Sequence, residues 1–341
     1  MEKIGVLGAG TWGIALARML HNSGHSVCIW SALDTEVEEF SATRRHPNLP
    51  GMEIPQGIAF TKDIEEVCRD RDVLLFAVPS PFVRSTARLA APYIRNDQII
   101  VDVAKGIEAD TLLTMTGIIA QEIANPTVKL VALSGPTHAE EVAKDLPTTI
   151  VSACEDETVA ELVQNVFWGT CMRVYTNTDV LGVELCGAMK NVIALASGVA
   201  AGLGYGDNAK AALITRGMAE ISRLGMAMGC KEQTFGGLAG IGDLIVTATS
   251  VHSRNNRCGM LIGQGVPVEE AIKQIGMVVE GINALPAAMT LAKKYNVEMP
   301  IVEAAWQVVH GDIAPKDVVH QLMSRDKKPE LPPSALDNHY H

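Results

Sequence analysis

The sequence lacks paired cysteines, an excess of positive charge and an uninterrupted apolar run that could cross a membrane. Its seven cysteines are scattered and form no C-x-x-C pair, which predicts a reducing, cytoplasmic compartment with each thiol acting as a small apolar group. The net charge of −11 argues against a nucleic-acid partner, because phosphate backbones require a basic surface. The apolar runs fall short of the ~20 residues that span a bilayer. A strand-like run begins at Lys3, so we expect neither membrane insertion nor a signal peptide.

The order of the apolar runs predicts two domains of different fold class. In the first half, short β-branched runs alternate with helical patterns, which indicates a mostly parallel sheet covered by helices on both faces. The predicted strands are 3–7, 26–30, 72–78, 98–103, 129–134, 148–153 and 172–176, and the helices include 11–23, 111–122 and 157–167. From about Asp179 the strand signals fade and an all-α domain is predicted, with helices at 180–202, 209–229, 284–294 and 315–325. We expect an α/β domain over 1–178, a helical domain over 179–325 and a loosely ordered, proline-rich tail over 326–341.

A glycine motif, GAGTWG, directly follows the first predicted strand and opens a helix. In this context Gly8 permits the tight turn, Gly10 lets the backbone approach a pyrophosphate, and Gly13 allows close helix packing. The free N–H groups at the helix N-terminus then bind the anion. The motif therefore predicts a dinucleotide site of the Rossmann type.

The choice between NADH and NADPH stays open in the sequence. The second predicted strand is followed by Ser31, Ala32, Leu33 and Asp34. The usual position at the strand end holds neither a carboxylate for the ribose hydroxyls nor an arginine for a 2′-phosphate. Ser31 suits either coenzyme, so the prediction is NAD(P)H.

A single lysine, Lys190, stands inside the apolar segment LCGAMKNVIALASGVAAGLG, residues 185–204. Its neighbours at helical spacing are Cys186, Gly187, Ile193 and Ala194, so it does not belong to a polar stripe. Either its ammonium reaches water along the apolar surface, or it lies in a dry cleft where it has a chemical role.

Further polar residues follow two predicted strands, at the edge where ligands of open α/β sheets bind. Lys105 follows one strand, although a solvated loop lysine fits this pattern equally well. Gly135 and Thr137 follow the next strand and offer an N–H and a hydroxyl group. His138 comes directly after them, where a lone histidine that opens a helix is more often structural or solvated.

The segment GIGDLIVTATSVHSRNNRCG, residues 240–259, adds an acid and an arginine. Asp243 lies between glycines and an apolar run, so we expect it to be withdrawn from water. Ser253 predicts a helix N-cap, which places Arg254 and Asn255 in the first turn. An arginine there is unfavourable for the helix dipole unless an anion such as a phosphate binds; a solvated arginine is the alternative.

Nine segments, taken in order, resemble one known family: GAGTWG, AVPSPF, AKGIE, SGPTHAEEVA, GAMKNVIALASG, GDN, GDLIVTATS, SRNNR and VVEG. The ordered set covers about residues 1–325 and is similar to the bacterial NAD(P)-dependent glycerol-3-phosphate dehydrogenases. The resemblance implies that the chain interconverts dihydroxyacetone phosphate and sn-glycerol 3-phosphate with NAD(P)H, at the entry to phospholipid synthesis. We also expect a homodimer.

The resemblance assigns roles by position, and no metal is among them. Lys190 matches the family's proton donor and acceptor, and we place Asp243 with it as the second catalytic residue. The expected substrate contacts are Lys105, Gly135, Thr137, Asp243, Ser253, Arg254 and Asn255. The expected cofactor contacts are Gly8, Gly10, Thr11, Trp12, Gly13, Ser31, Phe82, Lys105, Ala139, Arg254, Val278 and Glu280. Residues 31–33 read Ser-Ala-Leu where bacterial relatives often have a basic residue, which puts a preference for NADPH in doubt.

The expected chemistry places an ammonium beside a carbonyl oxygen that becomes negative as hydride reaches the carbon. Lys190 would stabilise that charge and give up a proton. Burial lowers the pKa of a lysine by ~3–5 units when it is complete. Asp243 acts in the opposite direction, and we expect burial to have the larger effect.

Two other functions fit parts of the sequence. A β-hydroxyacid dehydrogenase or ketopantoate reductase-like enzyme combines the same kinds of domain, but a carboxylate substrate would not require the SRNN helix start. A non-catalytic dinucleotide sensor has no use for Lys105, Lys190 and Asp243. Substrate trials with and without a phosphate group separate the first from the predicted function, and slow cofactor oxidation separates the second.

Overall fold

A single, mostly parallel sheet organises the first half of the chain in the computed structural model, which describes residues 1–327 and 329–330. Its strands are β1 (Lys3–Leu7), β2 (Ser26–Trp30), β3 (Ala59–Thr61), β4 (Val73–Phe76), β5 (Ile99–Asp102), β6 (Lys129–Ser134), β7 (Thr148–Ala153) and β8 (Met172–Asn177). Their spatial order is β3-β2-β1-β4-β5-β6-β7-β8. Every pair is parallel except β6 with β7.

Helices cover both faces of this sheet. They are α1 (Thr11–Asn22), α2 (Asp34–Thr43), α3 (Ile64–Cys68), α4 (Val83–Ala90), α5 (Met115–Ile123), α6 (Ala139–Val142) and α7 (Glu157–Val166), with 3₁₀ turns at Ser80–Phe82 and Ala91–Tyr93. Ile4 and Val6 of β1 pack in one core cluster with Ile14 of α1. Leu7 points to the opposite face and packs in a second cluster with Val83 of α4. Because both faces are buried, the strands are continuously apolar rather than alternating.

The second half is helical among the described residues. It contains α8 (Val180–Gly202), α9 (Asp207–Ala227), α10 (Glu232–Phe235), α11 (Asp243–Thr249), α12 (Arg254–Gly263), α13 (Val268–Ile275), α14 (Glu280–Tyr295), α15 (Pro300–Val309) and α16 (Pro315–Met323), with a π-helical segment at Leu238–Gly242. The Asp179 carboxylate accepts the Gly182 N–H at 3.0 Å and so caps α8. A helix that is apolar all round belongs in the interior; α9, α11, α12, α14 and α15 pack around α8.

The backbones of α8 and α12 touch through glycines. A Cβ atom at Gly198 would collide with the carbonyl oxygen of Asn256, and one at Gly259 would collide with that of Leu195. Larger side chains would therefore push the two helices apart. This contact fixes the N-terminal turn of α12, and with it Arg254, against the helix that carries Lys190.

By length and composition alone, α8 could cross a membrane. However, 83% of its most apolar window is buried inside the protein. The central helix of a soluble protein passes the same test, so this finding gives no clear indication of membrane insertion.

Three of the differences between the structure and the sequence prediction have a clear physical reason. β3 was not predicted, because a three-residue strand at the sheet edge carries almost no periodic signal. β7 is antiparallel to β6, and strand direction cannot be inferred from an apolar run. The helix predicted from Thr111 begins at Met115, because the buried Glu184 carboxylate of α8 accepts the N–H of Thr116 at 2.9 Å. Most of the predicted proline-rich tail, residues 328 and 331–341, lies outside the described residues.

Candidate active site

Lys190 lies in the interior, in the middle of α8, and is 4% exposed. Its Nζ donates hydrogen bonds to Asp243 Oδ1 at 2.5 Å and to Thr247 Oγ1 at 2.6 Å. The alternative in which the ammonium reaches bulk water is therefore wrong. The side chain is buried and has a carboxylate partner.

Asp243 connects two lysines. Its side chain is fully buried, and its second oxygen, Oδ2, accepts a hydrogen bond from Lys105 Nζ at 2.7 Å. The preceding π-helical segment turns this carboxylate inward at Gly240, which has a non-helical backbone conformation. A Cβ at Gly240 would collide with the carbonyl oxygen of Phe235, so glycine is required. One carboxylate thus holds two ammonium groups at a common point.

The environment of Lys190 places its pKa close to neutrality. Burial is the largest cause and lowers the pKa, the Asp243 carboxylate raises it, and the Lys105 ammonium lowers it again, to about 7. The prediction that burial has a larger effect than the carboxylate is confirmed. Near pH 7 both protonation states of Lys190 are populated, so this group can give or accept a proton.

Lys105 reaches the site from the sheet edge, just beyond β5, and 17% of its side chain is exposed. Its Nζ also donates to the Gly135 carbonyl at 3.0 Å, beyond β6. A Cβ at Gly187 on α8 would come within 3.4 Å of the Lys105 stem, so this glycine leaves room for it. Thr137 Oγ1 donates to the same carbonyl at 3.2 Å. Lys105, Gly135 and Thr137 are therefore brought together with Lys190.

The start of α12 carries a further positive charge, that of Arg254. Ser253 is the N-cap, and its Oγ accepts the Asn256 N–H at 3.2 Å, as the sequence predicts. Arg254 Nη1 donates to the Val278 carbonyl at 3.1 Å, and burial lowers the pKa of its guanidinium. Burial makes the positive charge of the guanidinium unfavourable, so a bound anion would stabilise it. The same anion would also interact favourably with the helix N-terminus.

Asn255 joins three helices. Its Nδ2 donates to Asn191 Oδ1 at 2.9 Å on α8, and its Oδ1 accepts the Gly281 N–H at 2.8 Å on α14. These bonds keep the first turn of α12 in place beside Lys190. Asn255 therefore has a structural role in addition to the substrate contact expected from the sequence.

The glycine loop has the shape that a dinucleotide pyrophosphate needs. Gly10 is the N-cap of α1 and supplies no side-chain cap, so the N–H groups of Thr11, Trp12 and Gly13 are available. A Cβ at Gly10 would meet nothing within 4 Å, which leaves open space over the loop. Gly8 adopts φ +120°, a conformation that disfavours other residues. The residues present fit the cofactor.

Glu280 connects the two segments that carry Phe82 and Val278, two other expected cofactor residues. Glu280 of α14 accepts hydrogen bonds from the Ser80 N–H at 3.0 Å and the Ser80 hydroxyl at 2.5 Å. This places the turn that ends at Phe82, which is 54% exposed, beside the segment that contains Val278. Burial raises the pKa of the Glu280 carboxyl. Ala139 begins α6, and Ser31 follows β2 apart from these contacts.

Two residues near Lys190 received no role from the sequence. Thr247 accepts a hydrogen bond from Lys190 and donates to the Asp243 carbonyl at 2.7 Å. Thr247 lies one helical turn after Asp243, and this spacing could have indicated that the two side chains share a face of α11. His138 has a buried Nε2 without a partner among the described residues, and burial followed by the Lys190 charge lowers its pKa. His138 therefore lies close to the site as a neutral ring near pH 7.

Two family models match the chain along most of its length. The model described as the NAD-dependent glycerol-3-phosphate dehydrogenase N-terminus matches residues 3–160, and the corresponding C-terminus model matches residues 179–320. A glycerol-3-phosphate dehydrogenase (NAD(P)+) 2 from Lactobacillus delbrueckii subsp. bulgaricus is 67% identical, over 97% of this chain and 99% of the relative. The glycerol-3-phosphate dehydrogenase (NAD(P)+) of Bacillus subtilis is 46% identical, over 97% of this chain and 96% of that protein.

Solved structures give a similar result. The crystal structure of a glycerol-3-phosphate dehydrogenase from Coxiella burnetii superposes with a TM-score of 0.90 at 36% identity, covering 95% of this chain and 99% of that one. A ketopantoate reductase from Ralstonia eutropha has a TM-score of 0.61 at 15% identity, covering 93% of this chain and 100% of that one. The second likeness shows a shared fold alone.

Proposed function

This chain belongs to the NAD-dependent glycerol-3-phosphate dehydrogenase family and is an NAD(P)-dependent sn-glycerol-3-phosphate dehydrogenase, and we propose that Lys190 is its proton donor and acceptor. The reaction interconverts dihydroxyacetone phosphate and sn-glycerol 3-phosphate, which is used in phospholipid synthesis. The observation that carries the proposed role is the buried Lys190–Asp243–Lys105 cluster, with the pKa of Lys190 at about 7.

The cluster supplies what a carbonyl reduction needs. A dinucleotide held by the glycine loop would supply the hydride for the C2 carbon of the substrate. Lys190 stabilises the negative charge that develops on the carbonyl oxygen and then transfers a proton to it. Asp243 and Thr247, one helical turn apart on α11, both accept hydrogen bonds from the ammonium, at 2.5 and 2.6 Å. Both partners restrict the Nζ atom to one position.

We assign the substrate phosphate to the start of α12. Ser253, Arg254 and Asn255 offer a guanidinium, a hydroxyl and the free N–H groups of a helix N-terminus. Gly135, Thr137 and Lys105 are the further substrate contacts that we propose, and Lys105 adds a second positive charge. A phosphate is thereby held by charge, while Lys190 remains available for the carbonyl oxygen.

We assign the dinucleotide to the edge of the sheet. Gly8, Gly10, Thr11, Trp12 and Gly13 receive the pyrophosphate, which needs N–H groups and close backbone approach. The further contacts that we propose are Ser31, Phe82, Lys105, Ala139, Arg254, Val278 and Glu280. The bond between Glu280 and Ser80 supports this group, because it joins the sheet edge to α14.

A substrate comparison tests the function. We expect turnover of dihydroxyacetone phosphate and at least ~100-fold lower kcat/KM for dihydroxyacetone, because charged hydrogen bonds to the phosphate are lost. A 2-oxo acid with a free carboxylate serves as the control for a ketopantoate reductase-like activity and should give no turnover. Equal kcat/KM values with and without the phosphate would contradict the assignment to the start of α12.

The pH dependence of kcat should have opposite directions for the two directions of the reaction. Reduction needs the protonated ammonium of Lys190, so its kcat should fall as the pH rises through about 7, the pKa of Lys190. Oxidation of sn-glycerol 3-phosphate needs the neutral amine, so its kcat should rise through the same pH. The measurement is kcat at saturating substrates from pH 5.5 to 9.5. A reduction rate that stays constant over this whole pH range would contradict a donor with a pKa of about 7.

We further propose that the chain divides into domains at residues 1–178 and 179–325. Support comes from the end of the last strand at Asn177 and from the Asp179 cap that starts α8. We also propose a cytoplasmic location, supported by seven free cysteines, six of them buried.

A homodimer is our proposed assembly. The side chain of Trp168, 83% exposed, is of the kind that such interfaces bury.

A further inference from the structure

The end of β2 lies beside the glycine loop. The Gly8 N–H donates to the Trp30 carbonyl at 2.9 Å, so the next residue, Ser31, borders the dinucleotide site. In this fold the residue at that strand end faces the adenosine ribose, whose 2′ group distinguishes NADH from NADPH. The sequence leaves the coenzyme open because no carboxylate or arginine stands at the usual position.

The structure brings a carboxylate to this position from the next helix. The Ser31 hydroxyl donates to Glu36 Oε2 at 2.5 Å and accepts the Leu33 N–H at 3.1 Å. Ser31 is only 4% exposed, so its hydroxyl direction is fixed. Glu36 is half-buried in the first turn of α2, and its other oxygen, Oε1, has no hydrogen-bond partner within the described part of the chain. That oxygen is free to accept a ribose hydroxyl.

Three basic side chains on the segments that follow α2 and β3 already have partners in the described part of the chain. Lys62, beyond β3, lies 3.5 Å from Asp34 Oδ2. The Arg44 guanidinium donates to the Ile58 carbonyl at 2.7 Å. Arg45 faces Glu53 at 3.9 Å.

Helix α2 itself carries four acidic residues and no basic one. Its first-turn acids already compensate the positive end of the helix dipole. A 2′-phosphate at this position would therefore meet the negative charge of the first turn of α2.

Building on the proposed function, we propose that Glu36, held by Ser31, binds the adenosine ribose hydroxyls and repels a 2′-phosphate, so that this enzyme prefers NADH to NADPH. Repulsion between one carboxylate and a phosphate near a protein surface corresponds to a preference on the order of 10- to 100-fold. Glu36 thus takes the role that a carboxylate directly at the strand end has in other NAD-binding folds.

Binding measurements on the full-length enzyme test the preference without turnover. NADH and NADPH are titrated separately, and the nicotinamide fluorescence gives each Kd. Thermal shifts with ADP and with adenosine 2′,5′-bisphosphate examine the adenosine half alone. We expect NADH to bind ~10- to 100-fold more tightly than NADPH, and ADP to stabilise the protein more than the bisphosphate does. Equal Kd values for the two coenzymes would overturn the inference.

A pair of variants then tests the assignment to Glu36. Glu36→Gln removes the charge, and we expect the ratio of the NADPH Kd to the NADH Kd to fall about tenfold. Glu38→Gln removes the same charge from the same helix at an exposed position and should leave the ratio at the wild-type value. An equal fall of this Kd ratio in both variants would overturn the role of Glu36. The preference would then come from the overall negative charge of α2.

Parallel turnover of dihydroxyacetone phosphate with the two coenzymes separates this inference from the proposed function. Equal kcat/KM values for NADH and NADPH would overturn the coenzyme preference while the dehydrogenase function stands. Preferential NADH binding without any turnover would support the role of Glu36 and contradict the dehydrogenase function.

Discussion

Replacing Lys190 with methionine should lower kcat for dihydroxyacetone phosphate reduction by about 10²- to 10⁴-fold, the usual effect of losing an acid–base group. The affinity for the dinucleotide should hardly change. Methionine fills a similar volume in the apolar interior and removes only the ammonium, which is hydrogen-bonded to Asp243 and Thr247. Steady-state kinetics give kcat, and a fluorescence titration gives the NADH Kd.

The control for this variant is Lys293→Met, which removes a positive charge from an exposed position near the end of α14. It should retain wild-type kcat. A Lys190→Met enzyme with near-normal kcat would show that another group moves the proton. An unchanged thermal midpoint, together with an unchanged NADH Kd, would show that the loss of rate is not a loss of fold.

Replacing Asp243 with asparagine should weaken both the fold and the catalysis. Two ammonium groups, of Lys105 and Lys190, would then face each other without a carboxylate between them. Removing one partner of a buried ion pair costs about 3–5 kcal/mol of unfolding free energy. The Asp243 carboxylate raises the pKa of Lys190, so its loss should lower that pKa from about 7. The alkaline fall in reduction rate should then shift to lower pH by about one unit or more.

Denaturant unfolding measures the first effect, and kcat as a function of pH measures the second. Asp207→Asn is the matched control, because Asp207 pairs with Lys210 at 3.6 Å on α9 but is fully exposed. Exposed pairs contribute little, so this variant should unfold and react like the wild type. If Asp243→Asn lost stability but kept the wild-type pH profile, Asp243 would have a purely structural role.

Much of the fold follows from local patterns in the chain. The strands at 3–7, 26–30, 129–134 and 148–153 and the helix at 180–202 have the predicted bounds, since long apolar periodicity is a strong signal. The start of α5 shifted because a distant carboxylate, Glu184, accepts the N–H of Thr116. The direction of β7 and the existence of β3 likewise depend on which strands pair.

The features of the site also divide into those that local sequence patterns predict and those that depend on packing. The apolar surroundings of Lys190 and the N-cap at Ser253 are properties of neighbouring residues, so the sequence by itself predicts a buried ammonium and an arginine at a helix start. The bonds from Lys190 to Thr247, 57 residues away, and from Ser80 to Glu280, 200 residues away, depend on how distant segments pack.

The sequence alone determined the two fold classes, the glycine loop and the residue types of the site. These depend on periodicity and backbone conformation over a few neighbouring residues. Only the tertiary structure decided that one carboxylate, Asp243, holds two lysines, and that Glu36 turns back onto Ser31. Such contacts depend on how distant segments pack, and packing also decides how much water reaches each charge and thereby the pKa of Lys190.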